Sequence, residues 1–393
     1  MKYKNAKDIL PPELIEMLQD YYEGGYLYIP QRTAAAKRKE TAYKVELEKR
    51  DQHIYRKYLE GWSREQLVSL YHLSESSLRR IILKQKRRYQ EMKDNIKEMI
   101  SRWGVECNQL VQKNPAVWEV NGSHVIKMYE DKEQLERNIA IVSALNDCGI
   151  PVTQMLPTTE KKFYVEKENQ YYILYKKLEG NTITEIHDLE MAYQMGQVIG
   201  RLHIAFKECE EKIDFWNNNL LEEMQGWIRE ILEADEWTML AENEYKEVTE
   251  TLEKLDSHLP KQLIHRDMHL GNFLFSDNQF TGYIDFDLSQ KNIRIFDICY
   301  FLAGLLTQEE GLRLQRNKWM LAVKKVAAGY ESVTPLSDAE KEAIPCVMES
   351  IEILFAAYFI SVKDVKCAKD AVAVFHYIQE NESDIRKALY DWM

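Results

Sequence analysis

Apolar residues recur along this chain at two periods, and the change of period sketches its organisation. Behind Pro11-Pro12, Leu14, Met17 and Leu18 fall at helical spacing and predict a helix over 13–22, stopped by Gly24-Gly25. Tyr26-Leu27-Tyr28-Ile29 before Pro30 predicts a short strand. Helical sequence resumes near Tyr43. Ser63-Arg64-Glu65-Gln66 is a capping box ahead of apolar Leu67 and Leu70, and Ser74 is a second N-cap. The helix it starts, 75–88, sets Leu78, Ile81 and Ile82 on one face and Arg79, Arg80 and Lys84 on the other. A basic run, Lys84–Arg88, leads into a linking helix ending near Gly104, with a domain boundary expected at about residue 92.

Beyond it the period shortens. Val117–Val120 and His124–Tyr129 predict a hairpin across Asn121-Gly122, a dipeptide suited to two successive positive φ angles. Lys132–Asp147 predicts a helix closed by Gly149 and Pro151. Phe163–Val165 and Tyr171–Leu178 predict strands. After Gly180 the pattern is mostly helical, broken by a strand-rich stretch at 263–286. The expectation is an α+β chain of three parts: a small, mostly α domain at 1–92, a β-rich lobe at 93–180 and a helical lobe at 181–393.

Length and composition agree with that division. A chain of 393 residues suggests two or three domains, and 45% hydrophobic with 30% charged residues is ordinary globular composition. Charge is unevenly shared. Residues 1–90 carry 19 Lys+Arg against 12 Asp+Glu, whereas the whole chain carries 52 against 64, so a net −12 is the sum of +7 and −19. Such a split suggests modules with different partners and excludes a uniformly basic nucleic-acid protein or a disordered acidic chain.

The uninterrupted apolar stretches, Ile353–Val362 and Ile298–Leu306, are about half the roughly 20 residues of a membrane span, so no membrane partner is expected. The first eight residues have charge but no apolar core of a signal peptide. Six scattered cysteines without a CxxC pair fit a reducing, cytoplasmic compartment better than a disulfide framework or zinc site.

The most specific chemistry lies at 264–287. Ile264-His265-Arg266-Asp267-Met268-His269-Leu270-Gly271-Asn272 is followed, thirteen residues after the Asn, by Asp285 within Tyr283-Ile284-Asp285-Phe286-Asp287. This HxDxxxxN…D spacing resembles the catalytic loop and metal-binding Asp of the protein-kinase-like fold, in wording closest to the aminoglycoside phosphotransferase and choline kinase branch. Phosphoryl transfer needs alignment, charge neutralisation and a carboxylate beside the acceptor hydroxyl. The resemblance implies a bilobal kinase-like fold over about 100–390, with ATP or GTP and Mg²⁺ as cofactors and a small hydroxyl-bearing acceptor. Asp267 is then the catalytic carboxylate, and Asn272 and Asp285 are oxygen ligands for a hard cation. It implies that Lys127, on the strand His124–Tyr129, grips nucleotide phosphates. It places a hinge at Lys176, Lys177 and Leu178, whose backbone receives the base, with Tyr175 behind it. His265 and Asp297 become structural supports of the loop, His203 becomes a packed core histidine, and Asp287 is left open between a second metal neighbour and a loop carboxylate. Two departures stand out. The loop expected to cover the phosphates, Lys113-Asn114-Pro115-Ala116, has no glycine, and Asn138 occupies the helix position where a Glu usually pairs the strand lysine.

The N-terminal string, from Leu10-Pro11-Pro12-Glu13-Leu14 through Tyr55-Arg56-Lys57-Tyr58-Leu59 to the capped helix pair, resembles a small regulator family related to Mor-type phage activators. That implies a helix-turn-helix binding double-stranded DNA through residues 1–92, with Ser76, Ser77, Arg79, Arg80 and Lys84 as contacts, and dimerisation through 1–30. Residues 208–256 hold sixteen acids against four bases, which suits a cationic acceptor of aminoglycoside-like or choline-like type, or simply solvated helix faces. Two readings follow. The chain is a small-molecule kinase fused to a DNA-binding module, or it is a transcription regulator whose weakly active kinase-like domain senses a ligand.

Overall fold

In a computed structural model, the structure describes Ile15, residues 47–48, 50–210, 217–307 and 316–390, with side chains from 318 in the last segment. The helix expected at 13–22 (Ile15 apart), the strand at 26–29, the resumption near Tyr43 and the dimer contact through 1–30 lie outside the described residues. The chain divides into two compact units, 1–95 and 96–393.

In the first unit, residues 50–59 are helical, followed by α1 (Arg64–Tyr71) and α2 (Glu75–Ser101). The capping box forms as the sequence predicts. Ser63 Oγ accepts from Gln66 N at 3.2 Å, and Ser63 N donates to Gln66 Oε1 at 2.8 Å. His72 takes the left-handed conformation (φ 50°) that ends α1. Ile54, Leu67, Leu78, Ile81 and Ile82 form the buried cluster of this unit. Leu70 is 49% exposed. No break marks residue 92, since α2 runs unbroken from Glu75 to Ser101.

The second unit opens with an antiparallel sheet: β1 (Leu110–Asn114), β2 (Val117–Val120), β3 (His124–Tyr129), β4 (Gln154–Met155), β5 (Tyr164–Lys167) and β6 (Gln170–Lys176). Its order is β1-β2-β3-β6-β4, with β5 also paired to β6. The Asn121-Gly122 turn has both φ angles positive, 52° and 71°, as a two-residue hairpin requires. The segment expected as a phosphate-covering loop is instead mostly strand. Lys113 and Asn114 belong to β1 and only Pro115-Ala116 forms the turn, because Asn114 Oδ1 accepts from Ala116 N at 2.9 Å and closes the hairpin. Helix α3 (Lys132–Asp147) starts on an Asp131 cap and ends ahead of Gly149. Leu135, Asn138, Ile141, Val142 and Leu145 are its buried face.

Past the hinge, Gly180 (φ 105°) turns the chain where a Cβ would meet Phe275 O at 2.8 Å, so only glycine fits. β7 (Asn181–Thr182) then pairs with β9. The rest is a helical lobe: α4 (Leu189–Glu210), a short irregular stretch Leu220–Glu223 to Arg229–Ala234 with a π-helical turn, α5 (Glu242–Asp256), α6 (Phe296–Gly304), α7 (Arg316–Glu331), α8 (Asp338–Ser361), α9 (Val365–Glu380) and α10 (Glu382–Tyr390). Set among these, β8 (Lys261–Ile264) pairs with β11 (Gln290–Ile293), and β9 (Phe273–Ser276) with β10 (Gln279–Tyr283). β11 lies beyond the strand-rich stretch that the sequence pattern marked out. α8 is long and apolar enough to cross a membrane, although its apolar residues are interrupted in sequence. Within the fold 78% of its apolar window is buried, so it serves as a core helix.

Candidate active site

The loop between β8 and β9 carries the motif. Asp297, wholly buried at the start of α6, accepts from His265 N (Oδ2, 2.8 Å) and Arg266 N (Oδ1, 2.8 Å). His203 Nε2 reaches the same carboxylate at 3.1 Å, and its Nδ1 lies 2.8 Å from Tyr330 OH. The brace matters because Arg266 sits at φ 68°, a left-handed conformation that costs a side-chain-bearing residue on the order of 1 kcal/mol. Two charge-assisted hydrogen bonds to adjacent backbone N–H groups offset such a cost. The Arg266 guanidinium is held as well, by both oxygens of Glu223 (2.7 and 2.8 Å) and by Gln290 Oε1 (2.9 Å). His265 Nε2 donates to Ile284 O at 3.1 Å and its Nδ1 accepts from Asp267 N at 3.3 Å, which ties the loop to the strand end before Asp285.

Asp267 is thereby fixed in position and partly exposed. Tyr300 OH donates to its Oδ1 at 2.8 Å, and Asn272 Nδ2 donates to its backbone O at 2.7 Å and to Oδ2 at 3.0 Å. His269 Nε2 stands 3.4 Å from Oδ2, while its Nδ1 accepts from Gly271 N. Burial alone would raise the Asp267 carboxyl, but His269, by hydrogen bond and charge, and the Tyr300 hydroxyl hold it well below the usual carboxylate range. The group is an ionised acceptor at neutral pH.

From the sheet, β3 presents Lys127. Its ammonium lies 2.9 Å from Asp285 Oδ1 and 2.5 Å from Asp287 Oδ2. Burial works against that charge, and the carboxylates of Asp287 and then Asp285 outweigh it, raising the Lys127 pKa. Asp287 Oδ1 also accepts from Tyr129 OH (2.9 Å) and Asn138 Nδ2 (2.8 Å), and Tyr175 OH donates to Asn138 Oδ1 at 3.0 Å. Burial pushes the Tyr129 and Tyr175 hydroxyls far up, so both stay protonated donors. Tyr175, expected behind the base, thus has its hydroxyl committed to Asn138.

Two oxygens suited to a divalent cation remain. Asn272 spends its amide nitrogen on Asp267, which leaves Oδ1 without a protein partner among the described residues. Asp285 spends Oδ1 on Lys127, and its side chain is 48% exposed at φ 64°. One carboxylate and one amide oxygen suit Mg²⁺, which keeps waters and shares substrate phosphates rather than filling an all-protein cage. No cluster of three or more His, Cys, Asp or Glu suited to a metal occurs among the described residues, in keeping with that kind of site.

At the hinge, Lys176 ends β6 in register with His124 and Gln154, and Leu178 is half-buried with its side chain near Gly282. Lys177 corrects one expectation, because its backbone N–H is spent on Ser123 O at 2.9 Å. In the N-terminal unit, Ser76 and Ser77 hydroxyls are engaged by Ser74 Oγ, at 3.0 and 2.9 Å, and Lys84 pairs with Glu48 at 3.1 Å. Arg79 and Arg80 are exposed. Several acids of 208–256 are spent on ion pairs: Glu223 with Arg266, Glu233 with Arg229, Glu242 with Lys246 and Asp256 with Lys261.

The sequence pattern alone did not single out Tyr300, His269 or the Glu223–Arg266 pair as parts of the site. Tyr300 lies three residues after Asp297 on α6, one helical turn away, which is a signal only once both are known to face the loop.

Residues 111–336, more than half of the chain, match the phosphotransferase enzyme family (APH). The chain belongs to this family, a class of phosphotransferases acting on hydroxyl acceptors. The homoserine kinase of Phenylobacterium zucineum (strain HLK1) is 31% identical over 116 residues, 30% of this chain and 34% of that enzyme. The homoserine kinase of Agrobacterium fabrum (strain C58 / ATCC 33970) is 24% identical over 245 residues, 59% of this chain and 71% of that enzyme. The chain thus spans about a third of the first and just over two thirds of the second. Among solved structures, an amicoumacin kinase in complex with AMP-PNP, Ca²⁺ and Ami superposes with a TM-score of 0.58 at 18% identity, covering 77% of this chain and 95% of that one. That likeness establishes the kinase-like fold.

Proposed function

We propose that the chain transfers the γ-phosphate of ATP or GTP to the hydroxyl of a small acceptor that also carries an amine. The observation that carries this reading is a pair of linked contacts: an ionised Asp267 hydrogen-bonded to Asn272, and the Lys127 ammonium paired with Asp285, the two segments joined by Ile284 N donating to Asn272 O and by His265 Nε2 donating to Ile284 O. Asp267 accepts the hydrogen bond of the acceptor hydroxyl, aligns it with the γ-phosphorus and takes up its proton as the new P–O bond forms, while the bond from the γ-phosphorus to the β,γ-bridging oxygen breaks and the nucleoside diphosphate leaves with that oxygen. Lys127 draws the α- and β-phosphates to the sheet. Asn272 and Asp285 would hold Mg²⁺, which would neutralise charge on the transferring group. Lys176 and Leu178 offer backbone groups to the base. An amine-bearing acceptor is supported by the relatedness to homoserine kinases. The rings beside Asp267 also suit a cation. Tyr300, which touches Asp267, packs 5.5 Å from Phe355, which stacks 6.1 Å from Phe359, so aromatic rings cluster on that side of the carboxylate. The test is nucleotide turnover with Mg²⁺ on homoserine, choline, amino alcohols and aminoglycosides. Turnover above the nucleotide-hydrolysis background on one amine-bearing alcohol is expected, and none on any of them contradicts the reading.

For the N-terminal unit, taken as about 1–92, duplex DNA binding remains the reading, supported by the capped helix pair with Arg79 and Arg80 exposed on α2. In it the kinase-like domain would sense a ligand, and linkage requires ligand and DNA affinities to shift each other equally. Salt-sensitive binding of the full chain to duplex, weakened by Arg79→Ala/Arg80→Ala, is expected. Affinity unchanged by those substitutions, or no binding at low salt, removes it.

A further inference from the structure

Lys127 has no carboxylate partner on α3, where Asn138 faces the cleft. Its two partners both come from the loop after β10. They are not equivalent. Asp285 spends one oxygen and is half exposed, whereas Asp287 spends both oxygens on three donors and its side chain is only 18% exposed. Those donors, Lys127 Nζ, Tyr129 OH and Asn138 Nδ2, all belong to the β-rich lobe, while Asp287 belongs to the stretch that carries Asp285. A carboxylate with both oxygens engaged by three donors is largely spent, which favours a loop carboxylate over a metal neighbour.

We infer that Asp287 is the positioning residue for Lys127, supplying from the metal-binding loop the carboxylate that α3 lacks at Asn138. Asn138 then orients that carboxylate, with Tyr175 in turn fixing which way the Asn138 amide points. A neutral amide is the fitting residue at 138, since a second carboxylate 2.8 Å from Asp287 would repel it. The consequence is mechanical. The lysine that grips the phosphates and the aspartate that holds the metal are set by one short segment, Asp285-Phe286-Asp287, so a displacement of that segment disturbs both together.

The inference rests on the nucleotide role of Lys127 proposed above, and the experiment separates the two by reading nucleotide binding as well as turnover. The variants are Asp287→Asn, Asp287→Asn/Asn138→Glu, Asp285→Asn and Lys127→Ala in the full chain, each measured for Mg²⁺-nucleotide affinity, nucleotide KM, acceptor KM and the Mg²⁺ concentration giving half-maximal rate. Asp287→Asn is expected to weaken nucleotide binding and raise nucleotide KM about tenfold or more, with acceptor KM and Mg²⁺ requirement nearly unchanged. Moving the carboxylate back to the helix in the double variant is expected to recover most of that loss. Asn138→Ala and Tyr129→Phe, which each remove one donor and spare the carboxylate, give the graded form of the test, a few-fold rise in nucleotide KM, should Asp287→Asn fail to fold. Nucleotide affinity unchanged in Asp287→Asn while Lys127→Ala loses it overturns the inference and spares the nucleotide reading. An Mg²⁺ requirement raised in Asp287→Asn as much as in Asp285→Asn overturns it in favour of a metal ligand. Unchanged affinity in Lys127→Ala overturns both.

Discussion

Tyr300 is the residue whose removal most cleanly probes Asp267, because its hydroxyl donates 2.8 Å to Oδ1 and the ring keeps its packing without it. The Asp267 carboxyl lies below the ordinary range partly through that donor, so Tyr300→Phe moves it upward. A base works only when deprotonated, hence the acid limb of the rate–pH profile should shift to higher pH in the variant, with kcat at neutral pH reduced at most about tenfold. A profile superimposable on wild type would remove Tyr300 from the site. Among the candidate site residues, the contact of Asp267 with Asn272 and that of Lys127 with Asp285 follow the motif spacing read in the sequence. Asp287 was visible but undecided, since its role depends on which donors fold against it. Asn138 reads in sequence as a missing carboxylate, and in the structure as the donor that orients one.

At the scale of elements, α4 and α7 approach so closely that a Cβ on Gly329 would collide with the backbone oxygen of Tyr193, and one on Gly196 with that of Val326. Gly329→Ala is expected to cost about 1–3 kcal/mol despite the better helix propensity of Ala, lowering the melting temperature by about 3–8 °C. An equal or higher melting temperature would contradict that packing. α8 carries a different liability. Burial pushes the Glu352 carboxyl up to about 8, and burial with Glu382 and Glu247 nearby does the same to Glu349. Their folded-state values lie above the unfolded one near 4.5, so folding takes up protons. The stability they contribute is fully present below about pH 4.5 and lost as the pH rises through about 8. Glu352→Gln should therefore gain on wild type between pH 5 and 8.5 by on the order of a few kcal/mol in unfolding free energy. A gap independent of pH would mean that the carboxyl ionises freely. The hairpin at Asn121-Gly122 and helix 132–147 were legible because turn chemistry and apolar period agree there. β1 and β11 were not. β1 carries Lys113 and Asn114 as a strand edge that reads as loop, and β11 is Gln290-Lys291-Asn292-Ile293, a polar strand whose pairing with β8 no local propensity announces.

On the scale of the whole molecule, the uneven charge separated a basic N-terminal unit from an acidic remainder. The acids of 208–256 are no simple guide to a cationic acceptor, since several hold ion pairs within the helical lobe. Membrane-span length misleads in the same way. α8 has the apolar length of a span yet is spent inside the helical lobe, against α5, α6 and α9. Within the second unit, the sheet and the helical lobe are tied where Lys127 pairs with Asp285 and Asp287, and the proposed reaction adds Asp267 to that group. The measurement that tests this most directly is quantitation of phosphorylated acceptor formed by wild type and Asp267→Asn with Mg²⁺, alongside nucleotide affinity for both. The account predicts a fall in kcat of about 10²–10⁴-fold in the variant with nucleotide affinity held. Product formed by Asp267→Asn at the wild-type rate would contradict it.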